Sequence, residues 1–151
     1  MVPTIVNMED IDHANNLFLK KKFNLSIKKY AEILENDPQN LIALNNMGYA
    51  LTKLKKFDQA LEFYEKSLKI ENDDHVVLVN KISLFRKTGN IDDALKLCNE
   101  ILEKHPDDLI VLYHKLRLLK KLNRIKESNE ICNKILEVYP SNLEVQNEFI
   151  K

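Results

Sequence analysis

The apolar residues of this chain follow the spacing of amphipathic helices, and the pattern repeats every 34 residues. The clearest copy lies between residues 44 and 68. Its first half places apolar or small residues at i, i+3, i+4 and i+7, namely at Leu44, Met47, Gly48 and Leu51. Its second half continues the apolar stripe at Ala60, Leu61, Tyr64 and Leu68. The pattern predicts two short helices, called helix A and helix B, around the basic turn Lys55-Lys56-Phe57.

Four copies of this unit align without insertion or deletion. Matching positions keep similar residues in the sets Phe23, Phe57, Ile91, Ile125; Ser26, Ala60, Ala94, Ser128; Tyr30, Tyr64, Cys98, Cys132; and Leu34, Leu68, Leu102, Leu136. Three units close on proline, at Pro38, Pro106 and Pro140, and Asn72 takes the remaining place. Each helix B is predicted to end there, because the residue before a proline is pushed out of the α region.

Small residues are predicted to set the distance between helices A and B. Gly48 and Ala60 should pack near each other and allow a close approach. The position of Gly48 is Ala14 in the first unit but Ile82 and Leu116 in the third and fourth. These two units are therefore expected to have wider or shifted helix pairs.

Helix starts are predicted from capping residues. Asp58 suits the N-cap of helix B in the second unit. The order Ser141-Asn142-Leu143-Glu144 has the spacing of a capping box and predicts a ninth helix that runs to Lys151.

This pattern resembles the tetratricopeptide repeat family over roughly residues 7–140. The match is carried by the 34-residue period, the proline column, and Gly48, Phe57, Ala60 and Tyr64. The resemblance implies an all-α fold, a right-handed superhelical solenoid of antiparallel helix pairs, with helix A lining a concave groove and helix B on the convex side. One domain over residues 1–151 is expected, with repeats at about 7–40, 41–74, 75–108 and 109–142 and a capping helix at 143–151.

Composition limits the possible chemistry. Lys plus Arg and Asp plus Glu both number 23, so the net charge is zero and the whole chain is not drawn to nucleic acid or membrane. No apolar stretch approaches the roughly 20 residues that span a bilayer, and no secretory signal is visible, so a cytoplasmic protein is expected. Cys98 and Cys132 fall in one helix-B column, beyond disulfide reach, and are expected to be buried, inert thiols.

No catalytic motif is present. The chain lacks G-x-S-x-G, the phosphate-binding loop G-x-x-x-x-G-K-[ST] and H-E-x-x-H, and its histidines have no Cys or His at metal-ligand spacing. We therefore expect no enzyme activity, no cofactor and no metal. His13 is predicted to lie in the core of the first helix A. His114 is the only histidine predicted to face the groove.

The face of helix A that is not buried is predicted to bind the partner. This groove face includes Ile11 and Thr52, and its candidate binding residues are Asn15, Asn45, Asn46, Tyr49, Lys53, Asn80, Arg86, Tyr113, His114 and Arg117. An Asn amide donates and accepts at once, so it can hold the backbone of an extended peptide. The chain contains 17 Asn, however, and compositional bias explains their position equally well. The lining is expected to change from apolar in the first repeat to basic in the fourth.

Three functions are compatible with this sequence. The leading hypothesis is a non-enzymatic interaction module, or scaffold, that binds a segment of another protein in the groove. The alternative is a structural protein that self-associates through its groove or through Phe149 and Ile150, which otherwise form a frayed cap. The third is RNA contact along a basic edge at the A–B turns. Complementing the helix dipoles explains that edge better, because acidic residues gather at the opposite helix ends.

One family subtype can be tested directly. Some tetratricopeptide repeat proteins hold a C-terminal carboxylate with two Asn and three cations from three successive A helices. The matching positions here are Ile11, Asn15, Asn46, Val76 and Asn80, so both Asn are present and all three cations are missing. A start one repeat later gives Asn45, Tyr49, Asn80, Ile110 and His114, which is no better.

We expect peptides with acidic C-terminal tails to bind this chain no better than scrambled peptides of the same composition, because the cations that pair with a terminal carboxylate are missing. Fluorescence titration of labelled peptides measures the affinity. A clear affinity that disappears when the terminal carboxylate is amidated would contradict this prediction.

Overall fold

The computed structural model describes residues 8–146, and within this range every regular element is a helix. The helices are α1 Met8–Leu19, α2 Phe23–Asn36, α3 Leu41–Lys53, α4 Phe57–Ile70, α5 His75–Thr88, α6 Ile91–Lys104, α7 Leu109–Lys121, α8 Ile125–Val138 and α9 Leu143–Gln146. The odd-numbered helices up to α7 are the predicted A helices, and the even-numbered ones are the B helices. The predicted all-α repeat architecture is confirmed. None of the described helices is long and apolar enough to cross a bilayer.

The helices form two compact units, Met1–Leu84 and Phe85–Lys151, which divide within α5. In the first unit α1 packs on α2, α2 on α3 and α3 on α4, with a smaller contact between α1 and α3. In the second unit α6 packs on α7, α7 on α8 and α8 on α9. Contacts between sequence neighbours are typical of stacked repeats. The single domain over residues 1–151 stays a prediction.

A close approach in the first unit joins the backbone of Gly48 to the ring of Tyr64. A Cβ added at Gly48 would lie 2.6 Å from Cε1 and 2.8 Å from Cδ1 of this ring. Tyr64 is completely buried, so the ring has no free space into which it could withdraw. It is therefore Tyr64, rather than Ala60, that requires the glycine.

Large and small residues change places at this position in the second unit. Gly48 and Tyr64 are separated by 16 residues, and so are Leu116 and Cys132. Both members of the second pair are buried, with Leu116 on helix A and Cys132 on helix B. Such an exchange keeps the total volume of the pair similar, which cores tolerate well. A wider helix pair was expected in the fourth repeat because Leu116 is larger than Gly48. The small Cys132 on helix B compensates for this difference in size, so the steric reason for a wider pair is removed.

All four A–B turns share one backbone conformation. Positive φ angles occur at Lys21, Lys55, Gly89 and Asn123, again 34 residues apart. The next residue in each turn donates its N–H to the carbonyl five residues earlier, as Lys56 does to Leu51 at 3.0 Å. This is the Schellman motif, in which one left-handed residue ends a helix. The turns are therefore built by the backbone, and two of them place a lysine where glycine is preferred.

The starts of α3, α5, α7 and α9 follow a second 34-residue column. The side chains of Asn40, Asp74, Asp108 and Asn142 accept hydrogen bonds from the backbone N–H groups of Ala43, Val77, Val111 and Val145. Two predictions are thereby corrected. The ninth helix is capped by Asn142 instead of Ser141. Asp58 lies inside the first turn of α4, whose N-cap is Lys56, because the Schellman turn leads directly into helix B.

Replacing Lys55 with glycine should stabilise the protein. Lys55 has φ of 60°, a conformation that costs a residue with a Cβ about 1 kcal/mol relative to glycine. The midpoint of urea unfolding is expected to rise in Lys55→Gly. Lys56→Gly is the matched control, because it removes the same charge at a residue with φ of −86°. An equal gain in both variants would assign the effect to charge and contradict this explanation.

Candidate functional site

One matched position in the first turn of each A helix is apolar and exposed. The exposed fractions are 75% for Met8, 51% for Ile42 and 58% for Val76 in the first unit, and 54% for Ile110 in the second. Helical spacing alone predicts this column on the groove face of helix A, opposite the buried stripe. Large exposed apolar side chains at one matched position favour contact with an apolar partner. Met8, Ile42 and Val76 are called the apolar band.

The asparagines in the middle of the A helices bind one another. Oδ1 of Asn15 accepts from Nδ2 of Asn46 at 2.9 Å and from the hydroxyl of Tyr30 at 2.7 Å. Oδ1 of Asn45 accepts from Nδ2 of Asn80 at 2.9 Å. The first bridge joins α1 to α3, and the second joins α3 to α5. These amides therefore tie neighbouring A helices together, a structural role that the sequence did not predict.

The second bridge leaves hydrogen-bonding groups free. Nδ2 of Asn45 and Oδ1 of Asn80 have no partner among residues 8–146. The two side chains are only half-buried, so these atoms are within reach of a ligand. One bridged amide pair thus offers a donor and an acceptor side by side, which matches the acceptor and donor of a peptide group.

Tyr30 fixes the orientation of the first bridge. Burial raises the pKa of Tyr30 to about 12, and the neighbouring amide of Asn46 opposes this rise. The phenol therefore stays protonated at neutral pH and continues to donate to Asn15. Oδ1 of Asn15 already accepts two hydrogen bonds, from Tyr30 and from Asn46. This bridge therefore stabilises the A-helix face and does not offer this oxygen atom to a ligand.

Tyr49 lies at the other end of the A-helix face, beside the A–B turns. Its ring centroid is 5.1 Å from that of Phe18, and Nζ of Lys53 lies 4.9 Å from the centre of the Tyr49 ring. Tyr49 remains 37% exposed. An aromatic ring held on two sides loses little conformational freedom when it binds, so it suits a contact residue.

The site residues of the second unit have two different roles. Tyr113 donates its hydroxyl to Oδ1 of Asn142 at 2.8 Å, so it supports the cap of α9. Nε of Arg86 and Nδ1 of His114 are buried without a hydrogen-bond partner among the described residues. Burial lowers the pKa of His114, the nearby charges of Arg86 and Arg117 lower it further, and Asp108 opposes them.

Three residues lie elsewhere than predicted. Ile11 is 6% exposed and belongs to the core instead of the groove, because α1 packs against both α2 and α3. Thr52 is also buried, and its hydroxyl is satisfied by donating to the carbonyl of Gly48 at 2.9 Å. His13 is exposed instead of packed in the core. It lines the outer side of α1 together with Glu9 and Asn16.

The remaining candidates concern thiols, metals and self-association. Cys98 and Cys132 are buried, as predicted, and burial raises the pKa of the Cys98 thiol to about 12. That these thiols are inert stays a prediction. Residues 8–146 contain no group of three or more His, Cys, Asp or Glu that could hold a metal ion. Phe149 and Ile150 lie outside the described residues, and their role in self-association stays a prediction.

The stability of the protein should decrease when His114 is protonated. Its pKa in the folded state is below the ordinary value of 6.5, so the unfolded chain takes up the proton first. The contribution is fully present above about pH 6.5 and is lost as the pH falls through that value toward the folded pKa. Between about pH 7.5 and 5.5, the melting temperature of His114→Gln should therefore fall less than that of the wild type. His105→Gln, which changes an exposed histidine, is the control, and identical slopes in all three proteins would contradict this assignment.

Comparison with known families gives two matching models. Both are described as tetratricopeptide repeat, and they match residues 42–74 and 85–147. Comparison with curated proteins gives no match.

Solved structures share the fold. A tetratricopeptide repeat protein from Parabacteroides merdae matches with a TM-score of 0.82 and 23% identity over 91% of this chain, which spans only 55% of that chain. YrrB, described as a TPR protein with an unusual peptide-binding site, matches with a TM-score of 0.72 and 17% identity over 91% of this chain and 71% of that chain. The second TPR domain of human RPAP3, determined in complex with an HSP70 peptide, matches with a TM-score of 0.65 and 16% identity. The match covers 72% of this chain and 91% of that chain.

At these identities the solved structures establish the fold and leave the partner open. The two repeat matches together extend over more than half of the chain, and the described helices form the A and B pairs of the same fold. This chain therefore belongs to the tetratricopeptide repeat family.

Proposed function

We propose that this chain is a non-enzymatic interaction module that binds an extended segment of another protein on the exposed face of its A helices. The observation that carries the proposal is the combination of exposed groups in the first unit. The apolar band, the free amide groups of Asn45 and Asn80, and the ring of Tyr49 all lie on α1, α3 and α5. The proposal also takes the chain as a cytoplasmic scaffold formed by one domain.

The spacing of the apolar band predicts the spacing of apolar side chains in the proposed ligand. Packed helices are about 8–10 Å apart, so a segment that crosses α1, α3 and α5 meets one apolar side chain per helix at that interval. A polyproline II segment advances about 9 Å in three residues. A ligand with an apolar side chain at every third position would therefore contact Met8, Ile42 and Val76 in succession.

The amide groups suit the backbone of such a segment. A polyproline II chain makes no internal hydrogen bonds, so its N–H and C=O groups are open to a partner. Nδ2 of Asn45 can donate to a ligand carbonyl, and Oδ1 of Asn80 can accept from a ligand N–H. The apolar band would select side chains, while the amides would hold the backbone irrespective of sequence.

Two related folds support a peptide as the ligand class. YrrB is described as having a peptide-binding site, and the RPAP3 domain was determined with a bound peptide. The present chain differs from a carboxylate clamp, because Asn15 and Asn46 hydrogen-bond to each other and no cation stands at the remaining clamp positions. An internal segment fits the face better than a free C-terminus.

Affinity capture with matched variants tests the proposal. Ile42→Ser/Val76→Ser removes two members of the apolar band at exposed sites, so folding should be preserved. The control, Leu25→Ser/Ile70→Ser, removes two apolar side chains on B helices of the same unit that are exposed to 51% and 43%. Partners bound through the A-helix face should be lost from the first variant and retained by the control.

A direct titration completes this test. Fluorescence anisotropy with a peptide from a captured partner should show affinity weakened on the order of tenfold or more in Ile42→Ser/Val76→Ser, since each fully buried apolar side chain contributes about 1.5–3 kcal/mol. Sedimentation of the wild type at two concentrations separates this function from self-association. If every partner persists in the first variant, the A-helix face is not the binding surface.

A further inference from the structure

The second unit contains a group of basic side chains that its structure does not neutralise. Arg86 lies in the last turn of α5, and His114 and Arg117 lie one turn apart on α7. Arg86 and His114 each have a buried nitrogen atom without a hydrogen-bond partner in residues 8–146. A buried donor that lacks a partner is destabilising by about 1–3 kcal/mol, and by more when it is charged. The arrangement therefore lacks an acceptor.

The repeat register gives the two arginines the positions of a contacting pair in the first unit, and both act on His114. Arg86 and Arg117 occupy the same positions of two successive A helices as Phe18 and Tyr49 do two repeats earlier. The rings of Phe18 and Tyr49 are in contact, with centroids 5.1 Å apart. Where the first unit has a stacked aromatic pair, the second unit thus has two guanidinium groups.

Nearby acidic groups leave the positive charge in excess. Neither Arg86 nor Arg117 forms an ion pair within the described range. Asp108 is the acidic residue that acts on His114, and its carboxylate already accepts the N–H of Val111 as the cap of α7. The charges of Arg86 and Arg117 also lower the pKa of His114, as expected where positive potential accumulates.

We propose that Arg86, His114 and Arg117 form an anion-binding site for a carboxylate or phosphate group on a side chain of the bound partner. Guanidinium groups bind both anions with paired N–H donors, and a histidine N–H adds a further donor. Arg86 and Arg117 lie outside the clamp positions of the family pattern, so this site differs from a terminal-carboxylate clamp. The inference rests on the proposed function only for the source of the anion.

Nuclear magnetic resonance of the full chain tests the site with small anions. The probes are inorganic phosphate, blocked phosphoserine and blocked glutamate, each compared with chloride at equal ionic strength. The Nε–H of Arg86 and the ring protons of His114 should shift saturably with a probe and not with chloride. Bound phosphate should also raise the pKa of His114, because a negative charge favours the protonated ring. Tighter binding of phosphoserine or of glutamate identifies the source of the anion.

Two single variants separate a built site from overall charge. Arg117→Gln should weaken phosphate binding on the order of tenfold, since a hydrogen bond to a charged group contributes about 1.5–3 kcal/mol. Arg124→Gln removes the same charge from an exposed arginine paired with Glu127 and should leave binding unchanged. The inference is overturned if the wild type shows no saturable shift with any probe. It is also overturned if both variants weaken binding equally.

Failure of this inference is distinguishable from failure of the proposed function. Loss of partners from Ile42→Ser/Val76→Ser without any anion binding to the wild type refutes only the anion site. Anion binding that is sensitive to Arg117→Gln, together with partners that all persist in Ile42→Ser/Val76→Ser, supports the anion site and refutes binding through the A-helix face of the first unit.

Discussion

The close approach of helix A to helix B is the constraint on which each repeat depends. At Gly48 the ring of Tyr64 occupies the space of a side chain, so a larger residue at this position would clash with the ring unless the two helices moved apart. A short helix pair cannot bury its apolar face alone and needs its neighbour. Within the first unit, the next pair then packs on the previous one, which brings α1 and α3 into contact.

The register explains why the middle of the A-helix face is polar and yet ordered. Asn15 bonds to Asn46, 31 residues later, and Asn45 bonds to Asn80, 35 residues later, because packing brings the polar faces of successive A helices in the first unit together. Half-buried amides are stable there only when they are hydrogen-bonded. Each bridge satisfies part of that requirement inside the protein. In the second bridge, Nδ2 of Asn45 and Oδ1 of Asn80 remain available to a ligand. The same side chains can therefore contribute to stability and to binding.

Charge on the edges of the repeats follows from the way helices begin and end. The A helices start at Asn or Asp caps and end in Schellman turns that contain Lys21, Lys55 or their equivalents. Acidic residues at the start and basic residues at the end both complement the helix dipole. The basic edge is thereby accounted for without nucleic acid. Arg117 lies before the last turn of α7, and Arg86, although it lies in the last turn of α5, has a buried Nε without a hydrogen-bond partner among the described residues.

The functional hypothesis depends on the difference between the two units. In the first unit, Phe18 and Tyr49 form an aromatic contact beside the amide bridges. In the second unit, the same positions carry arginines beside a histidine whose Nδ1 has no partner in the described structure. An apolar and amide surface suits the backbone and side chains of an uncharged segment, whereas guanidinium groups suit an anion. The repeats thus share one fold but offer different chemistry.

The sequence by itself determined the helices, their order and their period, because these depend on local apolar spacing and on turn residues that recur every 34 positions. It also identified most of the candidate site, since a helical face follows directly from spacing. Tertiary structure decided which of those side chains are free. Ile11 and Thr52 share the helical face of Asn15 and Tyr49 but are buried, because an A helix contacts its own B helix and the next repeat at once. Likewise, that Asn15 and Asn46 bind each other depends on packing between residues separated by 31 positions, and local spacing carries no information about such a contact.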